Sequence, residues 1–151
     1  MMKAKLNYMT AAPDVFQAMM TISDYVQKSG LEKSLLELVK IRASQINGCA
    51  FCIDMHVRDA RAAGESEQRI HLLPAWREAE LYTPRERAAL ALTEALTVID
   101  HHDIDPSFDD VREHFSDDEM AKLALAIGVI NVWNRLNIGF GVKLAAKKAA
   151  A

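Results

Sequence analysis

Four residues carry the chemistry that can be read from this chain: Cys49, Cys52, His56 and Glu37. On a helix, residues three or four apart share a face, so Cys49, Cys52 and His56 stack on one side of a single helix at i, i+3 and i+7. Glu37 belongs to the helix before it. Asn47-Gly48 breaks the chain between the two. If the helices fold back about that pivot, Glu37 and His56 lie roughly 15 Å and 12 Å along their axes, and the carboxylate can meet the imidazole.

Each residue type has a reason to be in such a set. A free thiol is mostly protonated at neutral pH and needs a helix N-terminus or a neighbouring base to become the nucleophilic thiolate. Cys49 follows Gly48 and is nearest the helix N-terminus, where the dipole favours an anion. Cys52 lies one turn from His56, which can take its proton, while Glu37 can orient that imidazole or relay the proton through water. A thiolate oxidised by a peroxide becomes a sulfenic acid, and a second thiol within one turn condenses with it to a disulfide. Three other accounts use the same residues. Two cysteines at helical spacing can be small core residues. Zinc could be held by Cys49, Cys52, His56 and Glu37, although structural zinc usually takes two paired knuckles and the chain has only two cysteines. A thioredoxin-like pair would follow a strand, and no strand pattern precedes Cys49.

The elements that must position these residues read as helices throughout. Pro13 opens a segment with Val15, Met19, Ile22 and Val26 at helical spacing, which Gly30 can end. The next helix runs from about Leu31 to Ile46, with Leu35, Leu38, Val39, Arg42 and Ile46 on one side. The third carries Cys49, Ile53, Val57 and Ala60 and stops at Gly64. Ser66 caps a short piece ending near Pro74, and Trp76 packs in the segment after it. Thr83-Pro84-Arg85-Glu86 has the form of a capping box with proline in the first helical position, and Ala89, Leu92, Leu96 and Ile99 mark the buried stripe that follows. His101 to Pro106 reads as a polar linker before a short helix around Phe108 to Phe115. Ser116-Asp117-Asp118-Glu119 is a second capping box and starts the last helix, with Met120, Leu123, Ile127 and Ile130 inward. No period-two run appears, so the expected fold is an all-α bundle with short loops. The last helix is apolar around most of its circumference, which predicts a central position or burial between subunits.

The remaining polar residues are assigned no role in the site. His71, His101, His102 and His114 read as structural or solvated, and Arg42 as half of an interhelical ion pair. Asn131, Asn134 and Asn137, spaced by three, read as answering buried polar partners and are left out of the site.

Composition sets the frame. The chain has 151 residues, half of them hydrophobic, with a net charge of −3. That is a single domain, 1–151, which can remove roughly 70 % of its unfolded surface from water without a metal or disulfide. The two cysteines are thus left without a structural task. With no Lys/Arg cluster, neither nucleic acid nor an anionic membrane is an expected partner. Met1 to Thr10 has no apolar core of the kind a signal peptide needs, and Leu123 to Val142 is interrupted by Asn131, Asn134, Arg135 and Asn137. The expected location is cytoplasmic, where a two-cysteine motif is catalytic or metal-binding more often than a permanent crosslink.

The block Glu37-Leu38-Val39-Lys40-Ile41-Arg42-Ala43-Ser44-Gln45-Ile46-Asn47-Gly48-Cys49-Ala50-Phe51-Cys52-Ile53-Asp54-Met55-His56 resembles the signature of the AhpD-like alkylhydroperoxidases, within the carboxymuconolactone decarboxylase superfamily. The resemblance extends through Gly64 and from Trp76 to Ala95, where Tyr82-Thr83-Pro84-Arg85-Glu86-Arg87 precedes an Ala/Leu helix. It implies an AhpD-like helical bundle, assembled as a homotrimer or homohexamer, that reduces hydroperoxides in antioxidant defence. By position, Cys52 would be the peroxidatic cysteine, Cys49 its resolving partner, and His56 with Glu37 the proton relay. No bound cofactor or metal is implied; the reductant would be an external dithiol or a lipoyl-bearing protein. Some family peroxidases carry a histidine just before the second cysteine, where this chain has Phe51. The decarboxylase branch generally lacks the cysteine pair, which leaves lactone decarboxylation as the alternative on the same fold.

Overall fold

Helix ends follow the caps written in the sequence. In the computed structural model, which describes residues 5–99 and 101–146, α1 (Tyr8–Ala11) and α2 (Pro13–Gln27) lead into α3 (Lys33–Asn47), α4 (Ala50–Ala62) and α5 (Glu67–Leu72). A 3-10 turn over Leu73–Ala75 is followed by α6 (Pro84–Val98), α7 (His101–Arg112) and α8 (Asp117–Phe140). No described residue lies in a strand. Both capping boxes form: the Thr83 and Ser116 hydroxyls each accept from the backbone N–H of Glu86 and Glu119 at 3.2 Å, and those carboxylates return the bond at 2.8 and 2.9 Å. Arg85 bonds Glu32 and Glu119, each at 2.8 Å, and so joins the starts of α3, α6 and α8.

The most enclosed helix is α3, which packs against α4, α6 and α8. It reaches three apolar clusters. Leu36 and Val39 meet Leu92, Val111 and Leu123; Leu38 and Ile41 meet Leu73, Trp76 and Leu90; Ala43 meets Cys49, Cys52 and Ile130. By contrast α8 is central on one side only. Leu123, Ala126, Ile127 and Ile130 face the core, while Gly128, Val132, Arg135 and Gly139 stay exposed. Among the described residues α8 is the one helix long and apolar enough to cross a membrane. Arg42 does form the expected ion pair, with Glu94 of α6 at 2.8 Å.

Four local expectations are corrected. His101 to Pro106 is the first half of α7 and no linker. Pro106 is the sixth residue of the helix, where it removes one hydrogen-bond donor, and burial of Ser107 and Val111 holds the segment in place. Ile99 leaves the buried stripe of α6: it caps the helix at φ 57° and is 58 % exposed. Val15 is likewise exposed, whereas Met19, Ile22 and Val26 pack inward. Cys49 precedes α4 instead of lying within it, as its N-cap, with φ −83° and ψ 92°. The N-terminal expectation falls partly on residues 1–4, outside the described residues.

The turn between α3 and α4 is only Gly48 and Cys49. Gly48 has φ +70°, and an added Cβ there would meet no atom within 4 Å, so a side chain would be penalised by backbone conformation alone. The Gly48→Ala protein is expected to lose about 1–2 kcal/mol, the cost of a left-handed residue other than glycine, as a lower urea midpoint at constant m-value. An unchanged midpoint would contradict this account of the turn.

Candidate active site

Because the chain reverses at Gly48, α4 runs back along α3 and its inner face meets Glu37. His56 Nδ1 lies 2.9 Å from Glu37 Oε2, and both side chains are buried. Lys40, half-buried one turn along α3, donates to Glu37 Oε1 at 2.9 Å and to Gln27 at 3.1 Å. Burial opposes the Glu37 charge, but the His56 hydrogen bond and the charge on Lys40 outweigh it, holding the carboxyl below the ordinary carboxylate range. An ionised carboxylate only accepts, so His56 Nδ1 carries the proton in that bond and Nε2 is left as the basic nitrogen.

Both cysteines are free and buried, 2 % and 1 % exposed for Cys49 and Cys52. The Cys52 thiol is pushed down to about 6, first by a hydrogen bond from Cys49; burial opposes this, while the amides of Asn137 and Asn134 and the charge on His56 assist it. The Cys49 thiol moves the other way, because it donates to Cys52 and is buried beside it. Of the pair, Cys52 is therefore the more readily ionised thiol and Cys49 the one that keeps its proton. The dipole argument alone favours Cys49; side-chain donors decide against it.

All four residues singled out from sequence come together here. Asn137, which sequence reasoning left outside, belongs with them: its Nδ2 donates to Cys52 Sγ at 3.3 Å, and its Oδ1 accepts from the Tyr8 hydroxyl at 3.0 Å. Asn134 donates to Ser44 at 3.0 Å, and Asn47 donates to both Asn131 and Asn134 at 2.9 Å. The three-residue spacing on α8 was the available signal for these amides. Tyr8 carried none.

An apolar cavity of about 230 Å³ opens onto Cys52, His56 and Asn137, walled by Tyr8, Phe16, Met20, Phe51 and Trp133. A second of about 230 Å³ shares Met20, Met55, His56 and Trp133 with it and reaches Lys40. A polar groove of about 600 Å³ between Arg42, Arg77, Glu94 and Asp110 has neither cysteine in its walls. Among the described residues, Glu37, His56 and Asp59 bring potential metal-ligand atoms within 4.8 Å of one another, and neither cysteine joins that set. A cation held there would displace the proton between His56 and Glu37 and compete with Lys40 for the carboxylate.

Residues 13–95 match the family model described as the carboxymuconolactone decarboxylase family. The chain is 44 % identical over 147 residues to the uncharacterized protein YdfG of Bacillus subtilis, covering 97 % of this chain and 100 % of that one. A crystal structure from Agrobacterium tumefaciens, of a protein of unknown function proposed to be the antioxidant-defence protein AhpD, superposes with a TM-score of 0.92. It shows 46 % identity and covers 96 % of this chain and 100 % of that one. A shorter stretch of 47 residues is 45 % identical to the alkyl hydroperoxide reductase AhpD of Bradyrhizobium diazoefficiens, covering 31 % of this chain and 26 % of that protein. With the helical fold and the thiol block in place, the chain belongs to the carboxymuconolactone decarboxylase family, as an AhpD-like member.

Proposed function

We propose that this protein reduces hydroperoxides, alkyl hydroperoxides among them, through a reversible Cys52–Cys49 disulfide. The observation that carries the proposal is one buried sulfur, Cys52, accepting a hydrogen bond from Asn137 beside a His56–Glu37 pair and facing an apolar cavity. Cys52 gives its proton to His56, and the thiolate attacks the terminal peroxide oxygen. An S–O bond forms, the O–O bond breaks, and the leaving alkoxide takes the proton from His56 and departs as alcohol. Cys52 is now a sulfenic acid without negative charge. The feature that kept Cys49 protonated is gone, and its sulfur attacks Cys52: the S–S bond forms, the S–O bond breaks, and hydroxide leaves with the Cys49 proton as water. An external dithiol, free or on a lipoyl-bearing protein, returns two electrons and two protons by thiol–disulfide exchange. The same proposal includes an antioxidant role in the cytoplasm and assembly as a homotrimer or homohexamer. Lactone decarboxylation has no use for the thiol pair.

Titration of the reduced protein with cumene hydroperoxide and tert-butyl hydroperoxide, counting thiols under denaturing conditions, tests this. One equivalent is expected to remove two thiols per chain and yield one alcohol, and Cys52→Ser is expected to abolish alcohol formation. Thiols that survive excess peroxide, stoichiometric zinc with unreactive thiols, or full turnover in both Cys52→Ser and Cys49→Ser would overturn the proposal.

The pH dependence has a definite sign. Cys52 reacts as thiolate, so its alkylation by iodoacetamide, located by peptide mass spectrometry, should rise with pH through a midpoint of about 6 and level off by neutrality. Cys49 should stay unmodified throughout that range. The reverse order of the two cysteines would contradict the assignment.

A further inference from the structure

The Asn137 amide has two faces, and the structure fixes which one Cys52 meets. Its nitrogen donates to Cys52 Sγ at 3.3 Å, and its oxygen is taken by the Tyr8 hydroxyl at 3.0 Å. Flipped, the amide would turn its oxygen lone pairs on the thiolate and its nitrogen on the phenol. A hydroxyl that donates opposes the flip. Burial, followed by the nearby Cys52 and Cys49, raises the Tyr8 phenol above its ordinary range, so it keeps the proton it donates. Both side chains are buried, 3 % and 4 % exposed.

Tyr8 is itself held on α8. Its ring packs on Phe140 with centroids 5.3 Å apart, and Lys5 N–H donates to the Phe140 carbonyl at 3.1 Å. The segment ahead of α2 is thereby fastened to the C-terminal end of α8, one turn beyond Asn137. Tyr8 and Asn137 both fall outside residues 13–95, the stretch that matches the family model.

We propose that Asn137 and Tyr8 are working parts of the thiol site: Asn137 donates to Cys52 Sγ and stabilises the thiolate, and Tyr8 is a positioning residue that locks the amide with its nitrogen toward the sulfur. Asn137 touches the reacting atom; Tyr8 acts only through Asn137. Part of what selects Cys52 over Cys49 therefore comes from the two ends of the chain, outside the Cys-x-x-Cys block. The use of this thiolate against peroxide rests on the function proposed above, but the state of the sulfur can be measured without peroxide.

The test is the pH profile of Cys52 alkylation in the intact protein, read by peptide mass spectrometry. Asn137→Leu, which keeps bulk and removes the donor, is expected to move the midpoint upward by about one unit, roughly a fivefold loss of rate at pH 6. Tyr8→Phe keeps the ring on Phe140 and loses only the hydroxyl, so a smaller rise of about half a unit, roughly twofold in rate at pH 6, is expected. Adding Tyr8→Phe to Asn137→Leu should move the midpoint no further, because the Tyr8 hydroxyl donates to Asn137 and not to the sulfur. An unmoved midpoint in folded Tyr8→Phe, or additive shifts in the double variant, would overturn the proposal; Tyr8→Phe decides it even if Asn137→Leu does not fold. Failure of the proposed function looks different, as wild-type thiols that survive hydroperoxide while the variants still shift the alkylation profile.

Discussion

At Gly48 the backbone enters the left-handed region, and the chain passes from α3 to α4 within two residues. That reversal lays His56 against Glu37 and leaves Cys49 as the N-cap, with Cys52 one turn inside α4. A longer connection would let α4 slide along α3 and lose the register between carboxylate and imidazole. The first face of α4 would then no longer meet α8, which supplies the amides. Fold and site are linked here because α3 is at once the most enclosed helix and the carrier of Glu37.

Burying charge is costly unless each charge is answered, and this site answers its charges in two ways. Glu37 is met by formal or potential cations, Lys40 and His56. Cys52 is met mainly by neutral donors, the Cys49 thiol and the Asn137 amide, with His56 contributing at longer range. Neutral donors stabilise a thiolate without locking it into an ion pair, which leaves the sulfur free to form a bond. The apolar walls from Phe16, Met20 and Trp133 serve the same end, since a hydrogen bond to an anion strengthens where water is excluded.

The quartet Glu37, Cys49, Cys52 and His56 was legible because it lies on two consecutive helices, where spacing alone determines what meets. The capping boxes at Thr83 and Ser116 were legible for the same local reason. Asn137 and Tyr8 were not, because their contacts with Cys52 and with each other span 85 and 129 residues and depend on where α1 and α8 dock. His101 to Pro106 misled through composition: histidines and a proline suggest a linker, yet α7 runs through Pro106, and its Ser107 and Val111 are buried. The apolar character of α8 pointed to a central helix or one buried between subunits; within the chain α3 is the more enclosed, because charged and polar residues on α3, Glu37, Lys40 and Arg42, find partners inside the bundle.

The central claim is that Cys52 is the sulfur that attacks peroxide, and trapping its first product tests it most directly. In the Cys49→Ser protein, one equivalent of cumene hydroperoxide with dimedone present should leave a single adduct, on Cys52, since the sulfenic acid there has lost its resolving thiol. In the Cys52→Ser protein, Cys49 should remain unlabelled. Dimedone on Cys49 with equal yield, or no adduct on Cys52, would contradict the account.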